Sequence, residues 1–301
     1  MTSSLQEKLN SGKFVMTAEV TPPLSSNPED LLAKALPLRG YADAVNVTDG
    51  ASARTHLDSL VAAIILKQNG IEPILQLTCR DRNRIALQSE LIGAAAMGVE
   101  NILVLTGDDP KKGDQPDAKP VFDLNSAELI ATAAHIRDKG ELPHGRKVAG
   151  NPSWFIGVAD APVDPKEGWT PKSLAQKVEA GGQFAQTQFC MDADVLRRYF
   201  QRLEDNGLGG KLKYIVGVVP PTSAKQARWI NENLFGAIIP DWVIDRMDKA
   251  TDNPKAEGQK VCAEVILQLA EVPGVAGVHI MAPLNEASIP GVVDMVRAAG
   301  K

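Results

Sequence analysis

Eight short β-type runs recur along this chain, each bounded by polar residues or by Gly and Pro, with amphipathic helical patterns filling the intervals. The runs cover residues 15–20, 43–48, 73–79, 101–105, 155–159, 184–188, 214–218 and 275–281. Helical spacing of apolar residues falls at 28–36, 57–68, 83–97, 127–138, 171–180, 193–206, 224–233 and 258–271, and a last pattern at 286–298 closes the chain. Alternation of this kind implies parallel strands, because each helix must carry the chain back across the sheet before the next strand begins. Eight such units predict a closed (β/α)8 TIM barrel, with residues 1–301 forming one catalytic domain. Folds of this kind commonly occupy about 250 residues. Gly70, Gly98, Gly140, Gly181 and Gly207 stand where helices must stop, which supports the count. A doubly wound open sheet is the structural alternative, and the lack of Gly-x-Gly-x-x-Gly after the first run speaks against it.

Two segments exceed what a minimal barrel needs. Residues 107–125, with Pro110, Pro116 and Pro120, are too long and polar for an ordinary connection and make a candidate lid at the functional end of strand four. Residues 235–257 carry Ile239-Pro240-Asp241-Trp242, in which Pro240 suits the first turn of an extra helix.

Composition narrows the function classes. A net charge of −5, without a run of Lys or Arg, gives no footprint for nucleic acid. No apolar run approaches the roughly 20 residues that span a bilayer, and the polar residues 1–13 read as a short helix rather than a leader, so a cytoplasmic protein is expected. Cys79, Cys190 and Cys262 are far apart and odd in number, which suggests neither a disulfide framework nor a zinc site. His56, His135, His144 and His279 show no pair at metal spacing, so no metal is expected.

In such a barrel the chemistry lies at the C-terminal ends of the strands. Run one, Val15-Met16-Thr17-Ala18-Glu19-Val20, places a carboxylate in an otherwise apolar stretch, which is costly unless the charge is used or paired. Partial burial favours the protonated form of such a group and suits it to general-acid work. Taken alone, Glu19 is better explained as a solvated strand-end glutamate. Runs two, three and four end in Asn46-Val47-Thr48-Asp49-Gly50, Thr78-Cys79-Arg80-Asp81 and Thr106-Gly107-Asp108-Asp109, clusters that can serve a polar heterocycle or simply turn the chain. Run six alternates Gln186-Thr187-Gln188, which puts the two amides on one face; Gln186 should find a partner inside the barrel, while Gln188 is better placed for a ligand.

Together, Ala18-Glu19-Val20-Thr21-Pro22-Pro23, Asn46-Val47-Thr48-Asp49, Leu77-Thr78-Cys79-Arg80-Asp81-Arg82-Asn83, Leu105-Thr106-Gly107-Asp108-Asp109-Pro110 and Gln186-Thr187-Gln188-Phe189 resemble, in order and spacing, the motifs of the methylenetetrahydrofolate reductases. The resemblance continues through Lys177-Val178-Glu179-Ala180-Gly181 and Ile239-Pro240-Asp241-Trp242 to the final strand, so it covers nearly the whole barrel. It implies reduction of 5,10-methylenetetrahydrofolate to 5-methyltetrahydrofolate by hydride from a bound FAD, itself reduced by NADH or NADPH, and hence a place in one-carbon metabolism and methionine biosynthesis. By the same resemblance Glu19 is the acid that helps protonate the folate amine, Asp108 the aspartate beside flavin and pterin, and Gln188 the glutamine that orients the folate. Thr48, Thr78, Leu105, Gly107, Asp108 and Lys177 fall at flavin-contacting positions, with Lys177 serving the cofactor's phosphate. The chain looks like the bacterial short form without a regulatory domain, and a homo-oligomer is left open. It departs from many relatives in having Gln176 before Lys177, and Ala159-Asp160-Ala161-Pro162 after strand five, with Asp160 expected close to the flavin. Two alternatives therefore stay open: direct transfer from the nicotinamide to the folate without flavin, and a non-catalytic folate-binding paralogue.

Overall fold

The computed structural model describes residues 3–301. Its eight strands are β1 (Val15–Val20), β2 (Ala44–Val47), β3 (Pro73–Thr78), β4 (Asn101–Leu105), β5 (Phe155–Asp160), β6 (Phe184–Phe189), β7 (Lys213–Val218) and β8 (Val275–Ile280). Every pair of neighbours is parallel, and β8 returns to β1 to close the barrel, so no open-sheet edge remains. The open doubly wound alternative is thereby excluded. The helices are α1 (Ser4–Asn10), α2 (Pro28–Ala35), α3 (Ser59–Gln68), α4 (Arg84–Ala96), α5 (Ser126–Lys139), α6 (Lys172–Glu179), α7 (Ala193–Asp205), α8 (Ala224–Asn233), α9 (Asp241–Lys249), α10 (Pro254–Leu269) and α11 (Ile289–Ala298). Among the described residues no helix is long and apolar enough to cross a membrane.

Local chemistry sets these boundaries. Asn27, Asp58, Asn83, Asn125, Asp192, Ser223 and Asn253 each accept a backbone N–H of the first helical turn, and Gly140 ends α5 in the left-handed conformation that glycine adopts without penalty. The extra helix exists as α9, but Pro240 is its N-cap and not a member of its first turn.

Side chains two residues apart on a strand share a face, so the barrel interior fills in layers. The lowest is apolar: Val15, Ala44, Ile74, Leu103, Phe155, Phe184 and Ile215, plugged from below by Leu5 and Leu9 of α1. Two residues further along the strands the lining turns polar, with Thr17, Asn46, Gln76, Gln186 and His279, all buried. One step higher come Glu19, Thr48, Thr78, Gly107 and Gln188, at the mouth. A separate, larger apolar cluster joins the outer faces of the strands to the helices.

Candidate functional site

Glu19 sits at the top of β1, with its side chain 20% exposed. Its Oε2 accepts a hydrogen bond from Gln76 Nε2 at 3.1 Å and lies 3.6 Å from His279 Nε2. Below it Asn46 and Gln186 exchange two amide hydrogen bonds across the barrel, 2.6 and 3.1 Å long, and Gln186 Nε2 also donates to Thr17 Oγ1 at 3.2 Å. Thr17 Oγ1 is 2.9 Å from His279 Nδ1. The carboxylate thus stands on a floor of buried, mutually bonded polar groups, and the expectation that Gln186 pairs inside the barrel holds.

The other predicted residues ring this floor. Thr48 is buried, and its Oγ1 has no hydrogen-bond partner among the described residues. Thr78 donates through both its backbone N and its Oγ1 to Asp49 Oδ2, at 2.7 and 2.8 Å. Asp49 also pairs with Arg82, whose Nη1 reaches both oxygens of Glu90 at 2.7 and 2.6 Å. One cation thus serves two partly buried carboxylates, and burial pushes Glu90 up to about 7 despite Arg82 beside it. Leu105 is half-buried against the apolar interior. Gly107 has φ +95°, and a Cβ there would come within 2.9 Å of Arg80 Cβ and 3.1 Å of Thr78 Cβ, so the turn above Thr78 requires glycine on two counts.

Asp108 is exposed, and its Oδ2 accepts from Ser52 N at 3.0 Å. Ser52 and Ala53 hold the left-handed conformation at φ 57° and 54°, uncommon for residues with a side chain, and this turn aims the Ser52 N–H at Asp108. A Cβ on Gly113 would lie 1.8 Å from the Ala53 carbonyl oxygen. The candidate lid is therefore seated against the loop after β2, and it is tied to the loop after β3 by Val121 N donating to Arg80 O at 2.7 Å.

Gln188 is half-buried, with its Oε1 accepting from Phe189 N at 3.0 Å. The pairing of β6 with β7 slips by one residue between Gln186 and Phe189, which marks a bulge at Thr187 and Gln188. Thr187 fills the bulge, its Oγ1 accepting from Gly217 N at 2.9 Å and donating to Gln188 O at 2.7 Å. Bulges of this sort re-aim a side chain at the rim of a barrel.

Lys177, on α6, donates its ammonium to Ala159 O at 2.6 Å, and burial lowers its pKa despite the nearby charge of Asp160. Beside it opens a groove of about 620 Å³ whose walls include Asn125 and Ser126 at the start of α5 and Ser173, Gln176 and Lys177 of α6. Asp160 is engaged elsewhere: its Oδ2 accepts from Tyr199 and Tyr214 hydroxyls at 2.7 and 3.0 Å, and both phenols are held well above their ordinary range by burial, with Asp160 adding to the effect. Burial pushes the Cys79 thiol up to about 11 and the Cys190 thiol up to about 12, which leaves neither a thiolate near neutral pH. Among the described residues no group of three or more His, Cys, Asp or Glu could hold a metal ion.

Thr17, Gln76 and His279 are the site members that sequence reasoning passed over. For Thr17 and Gln76 the signal was a polar residue two positions before a mouth residue on the same strand, Glu19 and Thr78, as Asn46 stands before Thr48.

An acid on a buried polar floor at the C-terminal mouth of a closed parallel barrel makes this a (β/α)8-barrel enzyme. A profile of the methylenetetrahydrofolate reductase family matches residues 4–297, and the chain belongs to that family. It is 24% identical over 273 residues to the 5,10-methylenetetrahydrofolate reductase of Pectobacterium carotovorum, covering 89% of this chain and 84% of that one. Against the 5,10-methylenetetrahydrofolate reductase of Escherichia coli it is 25% identical over 287 residues, covering 92% and 88%. A solved structure of similar fold, with a TM-score of 0.67 and 16% identity over 98% of this chain and all of the other, is an uncharacterized protein from Clostridium thermocellum that binds two copies of 5-methyl-5,6,7,8-tetrahydrofolic acid.

Proposed function

We propose that the protein reduces 5,10-methylenetetrahydrofolate to 5-methyltetrahydrofolate, with electrons that come from NADH or NADPH and pass through a bound FAD. The observation that carries this reading is Glu19 standing at the mouth of a family-matched barrel with one carboxyl oxygen already engaged by Gln76. Opening the five-membered folate ring requires a proton on its amine nitrogen, and a partly buried carboxylic acid is suited to give it. Asp108 supplies negative charge where a cationic iminium develops. Gln188 has its Oε1 committed to Phe189 N, so it offers the NH2 end of its amide to an acceptor on the folate.

The residues present fit a flavin. The unpartnered Thr48 hydroxyl at the end of β2 suits a polar ring, and the groove beside Lys177 offers the hydroxyls of Ser126 and Ser173, the amides of Asn125 and Gln176 and one ammonium to the phosphate end, with the carboxylates of Glu128 and Glu179 also on its walls. Thr48, Thr78, Leu105, Gly107, Asp108 and Lys177 would hold it. When bound, the group supplies the hydride. Glu19→Gln should keep reduction of the flavin by the nucleotide but lose folate turnover by roughly 10²–10⁴-fold, the usual worth of a general acid. Ordinary folate turnover in that variant would remove Glu19 from its role.

One observation favours a second reading. Lys177 is already bonded to the Ala159 carbonyl, and the neighbouring position is the uncharged Gln176, so phosphate pairing there is weak and hydride could pass from the nicotinamide directly to the folate. The visible spectrum after saturation with FAD and desalting separates the two. Flavin retained in equal proportion to protein rules out the second reading.

A further inference from the structure

The polar layer beneath Glu19 decides which nitrogen of His279 carries the proton. Asn46 Nδ2 donates to Gln186 Oε1, which turns Gln186 Nε2 toward Asn46 Oδ1 and Thr17 Oγ1. Having accepted that bond, the Thr17 hydroxyl still has its own hydrogen to place. His279 Nδ1 lies 2.9 Å from it, whereas the alternative acceptor, Val278 O, lies at 3.4 Å. Gln186 Nε2 also approaches the same Nδ1 to 3.5 Å. Both hydrogens of Gln186 Nε2 are already given to Asn46 Oδ1 and Thr17 Oγ1, so the Thr17 hydroxyl is the donor to Nδ1, and a neutral ring that accepts there carries its proton on Nε2. That nitrogen faces Glu19 Oε2.

We propose that His279 is a positioning residue for the acid: its Nε2–H faces Glu19 Oε2 beside the hydrogen bond from Gln76 and favours that oxygen as the acceptor, so that the transferable proton is carried by Oε1. Gln76 donates to Oε2 at 3.1 Å and the His279 N–H faces the same oxygen from 3.6 Å, a near approach and not a hydrogen bond, so a carboxylic acid in this setting places its own hydrogen on the other oxygen. In the folate reaction, on which this use of the proton rests, the Oε1–H bond breaks, an N–H bond forms on the folate amine, and the O–H electron pair stays with the carboxylate. The negative charge then appears where the two donors already point, with no rearrangement required at that moment. Pairing of Thr17 with His279 across the closure of β8 on β1 sets the geometry.

The ring can be read directly by ¹⁵N and ¹H spectra of the full chain labelled at its four histidines, with His279 assigned by the signal missing from His279→Gln. The Nε2–H form is expected in the wild type, and a mixture of both forms in Thr17→Val, which lacks the hydroxyl that selects between them. Steady-state kinetics supply the second arm. His279→Asn places an amide near the Nδ1 position and removes the N–H that faces Oε2, so its kcat for methylenetetrahydrofolate should fall about tenfold with little change in KM, as expected for losing one oriented dipole at a developing charge. His279→Gln extends its amide to the Nε2 position and should recover most of that loss. A wild-type ring in the Nδ1–H form, or equal kcat in the two variants, would overturn the proposal. A wild-type enzyme without folate turnover overturns the functional reading instead, and the ring spectrum then decides the inference alone.

Discussion

The buried cluster behind Thr78 titrates in a way that can be separated from catalysis. Glu90 is held up to about 7 by burial, against about 4.5 for an ordinary glutamate, even though Arg82 bonds both of its oxygens. Between those pH values the folded protein keeps a proton that the unfolded chain has lost. Stability from this group is therefore present below about 4.5 and declines as pH rises through about 7, by roughly 1.4 kcal/mol per pH unit at most. In Glu90→Gln the descending limb should vanish, and the difference between wild-type and variant urea midpoints, measured from pH 4.5 to 8, should trace it. A flat difference would mean that the Arg82 pair compensates the burial in full. The side chain is 11% exposed, so solvent screening discounts this little.

At the scale of elements, α1 is the least expected contributor. Its sequence reads as a short polar helix, yet Leu5 and Leu9 close the bottom of the barrel, and Leu9 is 1% exposed. Leu9→Ala should cost about 2–5 kcal/mol of unfolding free energy, as for other buried Leu truncations, without altering the mouth some layers above. Denaturant titration together with folate kinetics checks both halves of that statement. The strands were legible because each is a short run rich in β-branched, aromatic or other apolar residues between turn residues, and β1 and β4 match their expected limits residue for residue. The β6 bulge was not legible, since Gln186-Thr187-Gln188 alternates as a regular strand does, and the slip arises from Thr187 bonding to Gly217 on a neighbour far away in sequence. His279 escaped notice for a related reason. A lone histidine in a β-run gains its meaning from Thr17 and Glu19, which lie more than 250 residues earlier and meet it through barrel closure. Asp160 shows the opposite case, a conspicuous acid near the expected flavin that the fold binds to two tyrosines.

For the whole molecule, closure links local stability to global stability. The interior apolar cluster draws side chains from α1 and from β1 through β7, and the polar layer above it joins β1, β2, β6 and β8. A partial barrel would expose strand edges and leave Asn46, Gln186 and Thr17 without the partners they need when buried. Chains of this length often populate intermediates, so a single transition is a demanding outcome. One catalytic domain over residues 1–301 nevertheless predicts it. Trp154, 1% exposed at the start of β5, reports tertiary packing through its fluorescence, while far-ultraviolet circular dichroism reports the helices on the outer wall. The two urea curves should coincide in midpoint and slope, and Leu9→Ala should shift both together. If Leu9→Ala instead shifted the fluorescence curve while leaving a later dichroism transition in place, the barrel floor would be unfolding as a unit of its own, and the one-domain reading would give way to two.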